Sequence, residues 1–177
     1  ISTDKAVYAV NVMGATKLIA ERITMNANRF CESSQAFSCV RLGNVANSRG
    51  SVIPALINDL LCRRPLTVSD PRVTRFITDV EDAGRFILKA TGYARGGEIF
   101  VLKMKALKLD DLIDVVLNRI APRLGISRKD VRTDVIGLVA GEKLHEDLVD
   151  ANESSRMYEL GDMYVIFPRT EAYDEYP

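Results

Sequence analysis

Ile1-Ser2-Thr3-Asp4-Lys5, followed by Asn11-Val12-Met13-Gly14-Ala15-Thr16-Lys17, is the stretch from which the fold is read. Ile1-Ser2-Thr3 reads as the last turn of a buried strand, with Asp4 and Lys5 just past its carboxyl end. From Asn11 onward the chain reads as a helix. Val12, Ala15, Ile19, Ile23, Ala27 and Phe30 recur every three or four residues and line one face. Asn11 is a cap whose amide oxygen accepts from a free N–H of the first turn. Lys17 points back toward the helix start, so one strand end and one helical turn aim Thr3, Asp4, Lys5 and Lys17 at a common point. In open α/β sheets the crevice at the carboxyl ends of the strands is where ligands bind.

Ala36 to Leu42 reads as a second short strand, which closes a strand-helix-strand arrangement and favours a parallel sheet. The polar loop Gly43 to Ser51 then falls at the same carboxyl edge. Further on, Ser51 or Val52 to Leu61 reads as a helix with Pro54 in its first turn, and Leu66 to Val68 as a strand. Thr78 to Thr91 reads as a capped helix burying Val80, Ala83, Phe86, Ile87 and Ala90. Glu98 to Leu102 is a strand, Leu109 to Ile120 a helix, and Val131 to Ile136 and Met163 to Phe167 are strands. Residues 1–50 read as sheet-and-crossover architecture, the elements after them as shorter and mixed, and 169–177 as an exposed tail.

The 177 residues are 47% apolar, enough for a folded core. Twenty-four basic and twenty-four acidic residues cancel, so no global field argues for nucleic acid or an anionic membrane as partner. Cys31, Cys39 and Cys62 contain no CxxC pair, and with His145 they are too few for a metal site. They are expected to be reduced structural thiols in the cytoplasm. No apolar run approaches the roughly 20 residues needed to span a bilayer.

Several segments together carry a resemblance. Ser2-Thr3-Asp4-Lys5-Ala6, Asn11 to Lys17, Arg41-Leu42-Gly43-Asn44-Val45, Ser48 to Pro54, Thr74-Arg75-Phe76 and Gly141 to Glu146 run in the order of motifs in one family. The chain resembles the polysaccharide-biosynthesis branch of the extended short-chain dehydrogenases, typified by UDP-N-acetylglucosamine 4,6-dehydratases. The resemblance implies a Rossmann-like nicotinamide-binding sheet, with residues 1–50 the C-terminal part of that cofactor domain, a smaller mixed α/β substrate domain formed mainly by residues 51–168 and interleaved with the sheet, and a nucleotide sugar lying between them. It also implies NAD or NADP as cofactor and a UDP-sugar as substrate. Gly92 to Gly97 does not follow a strand and open a helix as the dinucleotide phosphate loop requires. The chain is therefore expected to be the later part of such an enzyme, inactive alone and associated with an N-terminal part or a second copy.

Within that resemblance, Thr3, Asp4, Lys5, Met13 and Lys17 are the catalytic candidates, and Ser2 and Lys17 the cofactor-binding ones. Dehydration needs a base at C5, an acid for the leaving C6 hydroxyl, and a group at the C4 oxygen. Lys5 serves as base if neutral, which burial beside cationic Lys17 would favour. Asp4 serves as acid if protonated, Thr3 bonds the C4 oxygen, and Lys17 holds the nicotinamide ribose. Met13 stands where most short-chain dehydrogenases have tyrosine, and a thioether has no proton to transfer. A branch of the resembling family carries methionine here; the alternative is an ordinary core methionine. Tyr8 lies nine residues before Lys17 and is no substitute by spacing.

Asn44, Arg49, Ser51, Arg75 and Glu142 are the nucleotide-sugar candidates, with a diphosphate at the start of the helix near Ser51 and an arginine fork on phosphate oxygens. Glu142 resembles the family's ribose contact. Val139-Ala140 replaces the usual Arg-Pro before it, which shifts phosphate binding toward Arg75. His145 is expected to be structural. C4 or C5 epimerisation on the same scaffold, or a non-catalytic binding module, are the alternative functions.

Overall fold

The computed structural model describes residues 1–30 and 36–168, so Cys31 and the expected tail at 169–177 lie outside the described residues. In chain order the elements are β1 (Ser2–Thr3), α1 (Val12–Ala27), β2 (Cys39–Leu42), β3 (Asn44–Val45), α2 (Val52–Leu61), β4 (Leu66–Val68) and β5 (Thr74–Thr78). They continue with α3 (Val80–Tyr93), β6 (Ile99–Leu102), β7 (Lys105–Lys108), α4 (Leu109–Val115), β8 (Thr133–Val135), α5 (Ala151–Ser154), β9 (Met157–Leu160) and β10 (Met163–Ile166). They fall into two compact units. One comprises Ile1–Gly43, Glu81–Lys103 and the chain from Asp147; the other comprises Asn44–Val80 and Met104–Glu146.

The first unit is built on a sheet ordered β1-β2-β6-β10-β9. Ser2 pairs with Arg41 and Thr3 with Leu42 in parallel, and β2 pairs with β6 in parallel. The remaining pairs, β6 with β10 and β10 with β9, are antiparallel. Ile99, Phe100 and Val101 are fully buried, as expected for a parallel strand covered on both faces. The expected strand-helix-strand start is thus present, and the fold is mixed α/β.

The side of α1 that packs differs from the apolar side. Gly14 and Glu21 are its buried residues, whereas Val12, Ile19, Ile23 and Phe30 are 80%, 58%, 66% and 83% exposed. Glu21 is drawn inward by a buried arginine. Arg41, in the middle of β2, is 1% exposed and all five of its N–H donors are used. Its Nε and Nη2 donate to Glu21 at 3.0 and 2.7 Å, Nη1 and Nη2 to Glu153 at 2.8 and 3.0 Å, and Nη1 to the Leu148 carbonyl at 2.7 Å. Burial alone would lower the arginine's pKa, but its bonds to Glu153 and Glu21 outweigh that and raise it. Burial, then the Glu21 charge, pushes the Cys39 thiol up, which makes it unreactive. Cys62 is exposed.

The second unit holds a sheet ordered β3-β5-β7 and a parallel β4-β8 pair. Leu56 and Leu60 of α2 pack with Leu66, Val68, Leu112, Val116 and Leu117 in its core. Two boundaries differ from expectation. The residues before Asp79 belong to β5, so α3 starts at Val80, which is 64% exposed. The helix expected over 109–120 is α-helical to Val115 and continues as a π turn over Val116–Ile120. The loop expected at Gly43 to Ser51 contributes the short strand β3, paired in parallel with Ile77 and Thr78.

Candidate active site

Past the end of β1 the chain turns at once into a 3-10 turn, Asp4–Ala6, capped by Thr3. Asp4 is wholly buried. Its Oδ1 accepts the Thr3 hydroxyl at 2.8 Å and Lys5 Nζ at 3.0 Å, while its Oδ2 is buried without a partner. Such an atom in a native interior calls for a further donor. Ser2 Oγ, on the preceding residue, is also buried and unpartnered. The Lys5 side chain is 27% exposed. Lys5 was expected to be buried beside Lys17, but it is only partly buried and Lys17 is exposed on α1.

Two features bring α1 against this turn. Asn11 caps the helix, accepting from Gly14 N at 2.8 Å. Gly14 then lies so close that a Cβ there would sit 2.4 Å from the Lys5 carbonyl oxygen and 3.2 Å from Ala9 Cβ. A backbone oxygen cannot swing away as a side-chain tip can, so Gly14→Ala must push the helix off the turn. We expect this variant to lose about 1–3 kcal/mol of stability, measured by chemical denaturation; an unchanged midpoint would show that the approach is not tight. Met13, one residue earlier, is 47% exposed and so is not a core methionine within this chain.

In the second unit, two of the nucleotide-sugar candidates hold each other. Arg75 Nη2 donates to Glu142 Oε1 at 2.7 Å, and the same oxygen accepts from Ser69 Oγ at 3.0 Å. Arg75 Nη1 donates to the Thr74 and Lys143 carbonyls at 2.8 and 3.0 Å. Ser51 precedes α2 as its N-cap without a side-chain bond, and its Oγ is buried and unpartnered. Asn44 lies in β3, half-buried, and Arg49 is exposed in the loop that follows. His145 Nδ1 lies 2.9 Å from Thr74 Oγ1. Among the described residues no group of three or more His, Cys, Asp or Glu side chains could hold a metal ion, and no helix is long and apolar enough to cross a membrane.

Sequence reasoning did not assign the Arg41, Glu21 and Glu153 cluster, nor Ser69 beside Glu142. The available signal for the first was an arginine in the short, otherwise apolar run Cys39-Val40-Arg41-Leu42. Such a residue in a covered strand must find carboxylates.

This fold and these motifs define the class. The chain matches the Polysaccharide biosynthesis protein family over residues 1–168 and belongs to it. It is 48% identical over 95% of its length to the protein named Uncharacterized membrane protein MJ1061 of Methanocaldococcus jannaschii, covering 51% of that protein. It is 38% identical over 99% of its length to the inverting UDP-N-acetylglucosamine 4,6-dehydratase of Campylobacter jejuni subsp. jejuni serotype O:23/36, covering 50% of it. UDP-glucose 4-epimerase of Rickettsia akari is 36% identical over 94% of the chain and 47% of that enzyme. The X-ray structure of Pen from Bacillus thuringiensis superposes with a TM-score of 0.89 at 37% identity, over 95% of this chain and 51% of that one. The chain thus spans about half the length of these relatives.

Proposed function

We propose that the polypeptide carrying this chain is a nucleotide-sugar 4,6-dehydratase acting on a UDP-N-acetylglucosamine-like substrate in glycan biosynthesis. The observation that carries this is the unbroken chain of bonds from Thr3 Oγ1 through Asp4 Oδ1 to Lys5 Nζ, ending a β-strand at the ligand-binding edge of the sheet. The match of 99% of this chain to half of a 4,6-dehydratase supports it.

The buried, unpartnered Ser2 Oγ and the Lys17 side chain on the first turns of α1 fit a nicotinamide cofactor, NAD or NADP, as its holders. When bound, that group would supply the hydride acceptor for C4 and the hydride donor for C6. The chain's own residues then manage three protons. Taking Lys5 in the neutral form that the base role requires, the C4 hydroxyl proton passes to Thr3 Oγ1 as the Thr3 proton passes to Asp4, along the Thr3–Asp4 bond. Lys5 removes the C5 proton while Asp4 gives its proton to the departing C6 hydroxyl, which leaves as water. Lys5 finally returns a proton to C5 as the hydride arrives at C6. Asp4 is again a carboxylate and Lys5 again neutral, so the cycle closes without the tyrosine that Met13 replaces. General acid-base steps of this kind contribute about 10²–10⁴-fold each.

The second unit is assigned to the nucleotide. Ser51 and the free N–H groups of α2 suit a diphosphate, and Asn44, Arg49 and Arg75 add polar and cationic contacts. Glu142 in this reading orients the Arg75 fork as well as facing the ribose. The exposed Ile19 and Ile23 face of α1, with Phe30 just beyond its end, is assigned to contact with a second copy, and the reaction to the cytoplasm. The relationship to a 4-epimerase favours one alternative, C4 epimerisation. Incubating the complete polypeptide with UDP-N-acetylglucosamine and NAD separates the two. A product lighter by one water is expected, and an isomer of unchanged mass would leave the epimerase reading in its place.

A further inference from the structure

Tyr8 stands out among the described residues because it is a bulky side chain with left-handed backbone, φ +45°. That conformation is unfavourable for a residue of this kind and persists only where its surroundings hold it. The observed hold is at the far end of the ring. Tyr8 Oη accepts the Ala151 amide at 2.8 Å, bridging 143 positions of sequence. Ala151 opens α5, whose third amide is already satisfied by the Asp150 carboxylate in a reciprocal capping box with Glu153. Tyr8 therefore satisfies a first-turn amide that the box does not reach.

The route closes on itself. Glu153 is bound to Arg41, and Arg41 pairs with Ser2 in the β1-β2 ladder. From Ser2 the chain runs through Thr3, Asp4 and Lys5 to Val7, whose amide donates to the Asp4 carbonyl at 3.0 Å, and so back to Tyr8. We infer that Tyr8 is a positioning residue: its hydroxyl pins the segment between the Asp4–Ala6 turn and α1, and thereby fixes where Thr3, Asp4 and Lys5 stand relative to Met13 and Lys17. It touches no reacting atom. This inference rests on the catalytic reading of the turn.

The test is Tyr8→Phe in the complete polypeptide, which keeps the ring and removes the acceptor. The expected result is a fall in kcat of about tenfold, since small misplacements of reacting groups are costly. KM for the UDP-sugar should stay within about twofold of the parent value and Tm within about 4 °C. Amide hydrogen exchange at Val7 should be about tenfold faster, because the turn opens more often. An unchanged Val7 exchange rate would overturn the inference, as would a kcat within twofold of the parent. Where the parent polypeptide forms no dehydrated sugar, the function reading fails and the Val7 exchange rate alone decides for or against Tyr8.

Discussion

Lys5→Met in the complete polypeptide is expected to lower kcat for dehydration by about 10²–10⁴-fold, the usual contribution of one general base. Some stability should be lost as well, because Asp4 is wholly buried and keeps only its Thr3 bond, so kcat is to be read on folded protein, below the variant's Tm. Asp4→Asn should cost a similar factor for a different reason. Asparagine fills the same buried space but carries no proton for the leaving hydroxyl. The pair can be told apart by supplying the UDP-4-keto sugar in D₂O, which bypasses the oxidation at C4, and following deuterium at C5. With Lys5→Met, exchange at C5 should stop together with water loss. With Asp4→Asn, exchange at C5 of the keto sugar should continue while water loss stops. A Lys5→Met enzyme retaining a third or more of the parent rate would remove Lys5 from the mechanism.

Arg41→Met is expected to have the largest effect on stability, about 3–5 kcal/mol. Breaking a buried ion pair leaves its partner charge uncompensated, and here Glu21 and Glu153 are each only 1% exposed. Arg41→Lys should rescue little, because an ammonium cannot supply a planar fork to two carboxylates and a carbonyl. Adding Glu21→Leu to Arg41→Met should recover part of the loss. The pH response supplies an independent check. In the parent protein burial alone would raise the Glu153 pKa, but the bonds and charge of Arg41 hold it below its ordinary value of 4.5. A lowered folded pKa means that this group's stabilisation is present above 4.5 and is lost as the pH falls through the folded value. In Arg41→Met the buried Glu153 keeps only the more distant Arg22, at 3.8 Å, and desolvation raises its folded pKa. Stability should then be gained on acidification and lost as the pH rises through that raised value. Chemical denaturation at a series of pH values reads both signs. A variant with the parent's midpoint and the parent's slope would show that the cluster contributes nothing to the fold.

The start of the chain was legible because local signals agreed there. A capping asparagine, period-3.6 apolar residues and a short apolar run after the helix all point to strand-helix-strand, and they place Thr3 to Lys5 at the sheet edge. Periodicity also revealed an apolar stripe on α1, yet the sheet took the other side. A buried arginine can draw Glu21 inward, and Gly14 permits backbone contact that no apolar side chain could make. The missed strands have related reasons. Thr74 to Thr78 runs straight into Asp79, Val80 and Glu81, whose capping chemistry masked a strand end as a helix start. Lys105 to Lys108 has too little apolar alternation to be recognised alone, and it becomes β7 by pairing with β5. Arg75 and Glu142 were each singled out as candidates from the sequence, but a spacing of 67 residues carries no information that they bond to one another.

The catalytic assignment is tested most directly by the destination of one atom. UDP-N-acetylglucosamine carrying deuterium at C4 is incubated with the complete polypeptide and NAD, and the product is examined by NMR and mass spectrometry. Dehydration centred on Thr3, Asp4 and Lys5 requires the label at C6 of a 4-keto sugar that has lost one water. Deuterium found back at C4, in a sugar of unchanged composition, would contradict it.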